Sequence, residues 1–393
     1  MTYVENYEKM ALGLFVHFGI YSVIGKGEWI NFSKTYPNNV YAKYADKFNP
    51  KKSWAKNLVS AAKKTGCKYI TLTTRHHDGF SLYDTKGLSD FDTLHTACGR
   101  DLVKEFVDEC NRQGVAPFFY HTLLDWRNKD YKENFPAYID YLVKSIEILC
   151  TNYGKVGGFW FDGMWENPAA DWQEDRLYGT IRKYQPEAMI INNTGLNALG
   201  QAGHRELDAV TFERNKPRYP DNSEKYHACE MSQVLNDHWG YAKNDCNYKS
   251  FADIINDLID CRAFGCNYLL NVGPLPNGDL RTIDKGFLEL IGAWIKANKN
   301  FIYGVKPCDV KGENTKILSD GKYYYAVVKN VPMKADSNVA LGGEFGNIRI
   351  FADVKYPVWL DNGEKVERKG NEIIVKPFNY GNSFVTRIIR FKI

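Results

Sequence analysis

Several signatures that would narrow a function at once are absent from this chain. There is no CxxC pair and no regular cysteine spacing, which argues against a zinc ribbon or a dithiol redox motif. There is no HxH or HExxH. No apolar stretch approaches the ~20 residues that span a bilayer, so no membrane partner is expected. No block of like charge stands out. With 51 basic against 47 acidic residues the net charge is only +4, too weak to argue for nucleic acid. Repeats and low-complexity segments are missing as well. The N-terminal stretch from Met1 to Met10 has neither a basic n-region nor a long apolar h-region. Together these absences lead to the expectation of a cytoplasmic protein.

The nine cysteines are odd in number. Cys67, Cys110, Cys150, Cys261 and Cys266 fall in or beside apolar patterns and read as reduced, buried side chains. That reading favours a reducing compartment.

Aromatics, by contrast, are plentiful. They make up 15% of the chain, with 26 Tyr and 9 Trp, and apolar residues reach 44%, ample for a large core. At 393 residues one large and one small domain fit best. Short β-rich runs alternate with amphipathic stretches: strands at 12–19, 68–77, 115–121, 157–162, 188–193, 207–213, 227–234 and 267–272, and helices at 53–65, 101–113, 135–152, 171–184, 251–264 and 283–298. Ser53 is the expected N-cap of the first helix. Eight strands with helical crossovers predict an α/β fold, a closed (β/α)8 TIM barrel over residues 1–300. Near Phe301 the pattern changes to short β runs separated by turn signals such as Asn362-Gly363. Residues 301–393 are therefore predicted to form a C-terminal antiparallel β-sandwich.

In such a barrel the strand ends converge on one mouth. His17, His76, His77, Tyr120, Asp162, Asn193 and Glu213 all stand at predicted strand ends. Asp162 closes Gly158-Phe-Trp-Phe-Asp162, with Trp160 two residues back on the same side. A carboxylate beside indoles suits a sugar: the ring stacks on an apolar sugar face and the carboxylate faces the anomeric carbon. Adjacent histidines on a strand point to opposite faces, so His76 and His77 are not expected to share a metal ion. No metal and no organic cofactor is expected. Glycoside cleavage needs one ionised carboxylate and one with a raised pKa. Asp162 suits the first role. Glu213, after Val210-Thr-Phe212, suits the second; Glu230 is its rival, and Glu28 is a third carboxylate in the first loop.

These segments also resemble a known family. Gly13-Leu-Phe-Val-His17-Phe-Gly19, Glu28-Trp29, Thr73-Thr-Arg-His76-His77-Asp78-Gly79-Phe80 and Phe119-Tyr120-His121-Thr122 are similar to motifs of the retaining α-L-fucosidases, glycoside hydrolase family 29. So are Gly158-Phe-Trp160-Phe-Asp162-Gly163, His238-Trp-Gly-Tyr241, Asn247-Tyr-Lys-Ser250 and Asn271-Val-Gly-Pro274. The resemblance runs from about residue 11 to 307. It implies an exo-acting fucosidase that hydrolyses terminal α-L-fucosides through a covalent fucosyl-enzyme. It implies Asp162 as nucleophile, Glu213 as acid/base with Glu230 the alternative, and His17, Glu28, Trp29, His76, His77, Tyr120 and Trp160 as fucose contacts. The partner would be a fucosylated oligosaccharide or glycoconjugate. One departure stands out: where the family often has Asn-Asp-Arg, this chain has Asn192-Asn193-Thr194, leaving Arg205 and Arg214 as candidates to supply the missing guanidinium. A retaining glycosidase for a related sugar, and a fucose-binding protein with impaired catalysis, are the competing readings.

Overall fold

Eight parallel strands pair in chain order and close on themselves in the computed structural model, which describes residues 2–33, 35–219, 225–335, 340–341 and 346–393. They are β1 (Leu12–Val16), β2 (Tyr69–Arg75), β3 (Ala116–Thr122), β4 (Gly158–Asp162), β5 (Met189–Asn192), β6 (Ala209–Thr211), β7 (Ala228–Val234) and β8 (Asn267–Val272). The strands are buried along almost their whole length, as expected of parallel strands covered on both faces. Each predicted strand is present, though β6 is only three residues long.

The crossover helices follow their apolar periodicity. Trp54–Thr65 and Leu102–Gln113 each stop at a glycine in the left-handed region, Gly66 and Gly114. Asp101 caps the second by accepting from Lys104 N. Ser53 stands at the first helix's N-cap position, but its side chain makes no capping bond, contrary to expectation.

The helix Tyr3–Met10 has no counterpart in the sequence reading. Its Thr2–Glu5 capping box is local, but at eight residues such a helix is marginal without tertiary packing. Tyr7 supplies that packing, joining Tyr69 and Phe118 in the barrel core. Gly13 makes room nearby: a Cβ there would lie 2.4 Å from the Tyr69 ring.

Residues 1–249 with 267–288 form one compact unit, and residues 250–266 with 289–393 a second. After the helix Thr282–Tyr303 every element is a strand. A five-stranded antiparallel sheet contains Lys306–Pro307, Ile317–Ser319, Tyr324–Val328, Lys355–Trp359 and Arg387–Lys392. A four-stranded sheet contains Gly312–Glu313, Ile348–Ile350, Arg368–Lys369 and Glu372–Ile373. Ala326, Val328 and Ile389 of the first meet Ile348, Ile350 and Ile373 of the second in one apolar core, the layering of a β-sandwich. A small third sheet includes one parallel pairing, Met333–Lys334 with Phe378–Asn379.

The cysteine reading needs one correction. Cys67, Cys110, Cys150 and Cys261 are buried and outside any disulfide, but Cys266 is disulfide-bonded, as is Cys229.

Candidate active site

Side chains alternate along a strand, so inward-facing residues two apart fall in successive layers of the barrel. His17, Asp162, Asn193 and Glu213 follow Phe15, Trp160, Ile191 and Thr211 by two positions and lie in the layer at the mouth. Register places Glu230 elsewhere. It pairs with Thr211, one layer below Glu213.

Asp162 is the most heavily hydrogen-bonded side chain of the mouth. Oδ1 accepts from Trp165 Nε1 at 2.8 Å and Asn193 Nδ2 at 3.2 Å. Oδ2 accepts from Tyr120 OH at 3.0 Å, and His77 Nε2 lies 3.4 Å away. Burial raises the carboxyl, but the His77, Trp165 and Tyr120 contacts outweigh it and hold Asp162 below its ordinary value. Gly163, at φ +106, turns the chain straight after this residue, and a Cβ there would meet Leu124 at 2.7 Å.

The three histidines face one another across the same opening. The His76 and His77 ring centroids are 4.3 Å apart, and His17 and His76 are 5.6 Å apart. This corrects the expectation of opposite faces: β2 ends at Arg75, so alternation no longer governs the two histidines. His17 Nδ1 lies 2.7 Å from Asn271 Oδ1, whose amide nitrogen donates to Trp239 O, so Nδ1–H is the donor. Burial pushes the His17 imidazole down to about 3, leaving Nε2 a neutral acceptor. His76 Nδ1 has no hydrogen-bond partner among the described residues. The Thr122 hydroxyl donates to Leu124 O, so His77 Nδ1–H donates to Thr122 Oγ1 and Nε2 turns to Asp162. Glu28 is buried, accepts from Gly240 N at 2.7 Å and is raised by burial. Trp29, 39% exposed, packs against Trp126, His77 and Trp165 at the rim. Trp160 stacks under Tyr120 with centroids 5.6 Å apart.

Glu213 reaches the mouth half-buried, bonded to Asn193 Nδ2 at 2.8 Å. Burial and the Asp162 charge raise it above its ordinary value, against the pull of Asn193 and Arg214. The Asn193 amide therefore donates to both carboxylates. Its own Oδ1 accepts from Thr211 and Gly195, which fixes its orientation.

The candidate arginines separate cleanly. Arg205 is exposed and pairs with Asp175. Arg214 adopts φ +54 immediately after Glu213, lays its guanidinium 5.0 Å over the Trp239 ring and donates to Asp237 O.

Glu230 is wholly buried. Its carboxylate accepts from Tyr7 OH, from Tyr69 OH at 2.5 Å and from Trp160 Nε1 at 2.8 Å. Burial raises it, and no contact with Asp162 accompanies these bonds. Its place is the packed interior beneath the mouth.

Trp165, Trp239 and Asn271 also shape the site and were not singled out as site residues from sequence. Trp239 and Asn271 stood inside recognised segments, after His238 and before Val272-Gly-Pro274, while Trp165 lies just beyond one, three residues after Asp162. Among the described residues no group of His, Cys, Asp and Glu side chains converges as a metal site.

The alpha-L-fucosidase family model matches residues 2–300. The tissue alpha-L-fucosidase of Bos taurus is 27% identical over 361 residues, covering 83% of this chain and 75% of that protein. The Homo sapiens tissue alpha-L-fucosidase is 28% identical over 365 residues, with the same coverages, 83% and 75%. Alpha-L-fucosidase isoenzyme 1 from Paenibacillus thiaminolyticus superposes with a TM-score of 0.82 at 27% identity, covering 99% of this chain and 98% of that one. With the family model spanning the barrel and its catalytic mouth, this chain belongs to the alpha-L-fucosidase family, glycoside hydrolase family 29.

Proposed function

We propose that the chain is an exo-acting α-L-fucosidase in which Asp162 is the nucleophile and Glu213 the acid/base. The observation that carries these roles is the shared Asn193 amide. Its Nδ2 lies 3.2 Å from Asp162 Oδ1 and 2.8 Å from Glu213 Oε2, so those two oxygens are at most 6.0 Å apart. Retaining glycosidases hold their carboxyls roughly 5–5.5 Å apart and inverting ones roughly 6.5–9.5 Å. The two pKa directions also diverge as the roles require, Asp162 down and Glu213 up.

An Asp162 carboxylate oxygen attacks C1 of the fucoside. The C1–O bond to the leaving group breaks, and the departing oxygen takes its electron pair and the Glu213 proton. A fucosyl ester remains. Glu213, now a carboxylate, takes a proton from water as the water oxygen attacks C1. The ester bond breaks, Asp162 is restored and fucose leaves with its configuration kept. His17, His76 and His77, with Glu28, can grade the sugar hydroxyls; burial lowers the His17 and His76 imidazoles, and neutral imidazole both donates and accepts. Trp29, Tyr120 and Trp160 supply ring surface. A Bacteroides thetaiotaomicron relative, solved as a trapped covalent intermediate with 2-fluoro-fucosyl fluoride in a Glu-to-Gln variant, supports this course for the family.

The reading includes a fucosylated oligosaccharide or glycoconjugate as partner, with neither nucleic acid nor membrane. Cytoplasmic residence belongs to it too. Seven cysteines outside any disulfide support that residence and the bonded Cys229 and Cys266 weigh against it; fractionation of the native source decides.

Azide trapping tests the roles. With an aryl α-L-fucoside, Asp162→Ala should lose turnover by several orders of magnitude and give β-fucosyl azide in azide. Glu213→Ala should give α-fucosyl azide, by attack on the intermediate. An α-azide product from Glu230→Ala but not from Glu213→Ala would transfer the acid/base role to Glu230.

A further inference from the structure

Glu213 lines two cavities. The first, about 570 Å³, also holds Glu28, Arg214 and Trp239. Trp239 packs 5.2 Å from the His17 ring, so this cavity adjoins the histidines of the mouth. The second, about 550 Å³, is bounded by Trp29, Trp165, Pro168, Leu196 and Asn197. Trp29 and Leu196 border both. An acid that faces two cavities can protonate an oxygen bridging them, which is where a glycosidic oxygen must lie.

The second cavity's wall has a definite chemistry. Trp29 and Trp165 lie nearly parallel, 24° apart, with centroids separated by 6.1 Å. Pro168 and Leu196 extend the apolar surface, and Leu196 is 62% exposed. The Thr194 hydroxyl, also on this wall, is spent on Ala198 O at 2.7 Å. Among the described residues the lining contains no lysine or arginine, and Glu213 is its one carboxylate. Such a wall offers an ionised group no counter-charge and offers a flat ring two indoles and a leucine. Gly195 holds the loop hard against Trp165: at φ +89, a Cβ there would lie 2.9 Å from Trp165 Cβ. Trp165 in turn donates to Asp162 Oδ1, so whatever presses on that indole also touches the nucleophile's support.

We propose that this second cavity is the leaving-group site, that it takes a neutral ring by its apolar face, and that Leu196 sets that preference. The proposal rests on the fucosidase reading.

Its test compares α-L-fucosyl fluoride, whose leaving atom is too small to reach the cavity, with 4-nitrophenyl α-L-fucoside, whose ring must enter it. Both are assayed with the full chain and with Leu196→Ser. The expected result is a fall of roughly tenfold in the aryl-to-fluoride ratio of kcat/KM, the scale on which a hydrophobic pocket discriminates small apolar changes. Because the side chain is mostly exposed, the variant should fold, and the ratio corrects for any change in active fraction. Wild-type turnover of both substrates with an unchanged ratio in the variant overturns the cavity assignment alone. Wild-type failure on both substrates overturns the fucosidase reading, and this proposal with it.

Discussion

Trp160 Nε1 donates to Glu230 Oε1 at 2.8 Å, in the layer directly beneath the catalytic mouth. The bond ties the floor of the site to a carboxylate that also receives Tyr7 and Tyr69. Glu230→Gln should leave one oxygen to serve three donors and destabilise the fold by about 1–3 kcal/mol, the usual cost of stranding buried polar groups. The pH dependence has a definite sign. Burial raises the folded-state pKa of Glu230, so the folded protein holds that proton more tightly than the unfolded chain. The Glu230 contribution is therefore fully present below the ordinary glutamate pKa and is lost as pH rises through the raised value. Melting of wild type and Glu230→Gln across that window should show the shallower slope in the variant.

Trp165→Phe keeps a ring against Trp29 but removes the donor to Asp162 Oδ1. Losing a hydrogen bond to a charged group, worth roughly 1.5–3 kcal/mol, should lower kcat/KM by about 10–100-fold. The Asp162 pKa should rise, moving the acidic limb of the pH–rate profile to higher pH. An unmoved acidic limb would count against Asp162 as the group that must be ionised.

Asn193→Ala removes the amide that restrains the Glu213 carboxyl from rising further. Without it the Glu213 pKa goes up, so the basic limb, where the acid loses its proton, should shift to higher pH. The rate at the optimum should fall as well, because the amide also orients Asp162. A pH series on an aryl fucoside separates the two effects.

Arg205 and Arg214 make a matched pair of controls. Arg205→Ala removes one exposed ion pair with Asp175, worth about 0–1 kcal/mol at most, and should leave turnover unchanged. Arg214→Ala removes a positive charge that lowers Glu213, so its basic limb should move upward. Steady-state kinetics of the two variants side by side checks the contrast.

How much of the site was legible follows from range of interaction. Asp162, at the end of Phe159-Trp-Phe161, could be placed from the alternation of one strand. His76 and His77 could be found but not aimed, because their rings depend on β2 ending at Arg75. The helix Tyr3–Met10 carries only a local capping signal, Thr2 with Glu5, in its sequence; its decisive contact, Tyr7 OH to Glu230, joins residues 223 positions apart. Cys266 read as a free core thiol because its bonded state depends on tertiary placement, not on its own apolar surroundings.

The sequence by itself determined the strand and helix pattern, the closed barrel, the family and the residue types at the mouth. These rest on local periodicity and on short motifs carried within single strands and loops. Only the tertiary structure put Glu213 at the mouth and Glu230 in the layer beneath it, because their places depend on the register of β6 against β7, which sets Glu230 opposite Thr211 and leaves Glu213 one layer higher. Register is a relation between two strands, fixed by the packing of the whole barrel and written in neither strand alone.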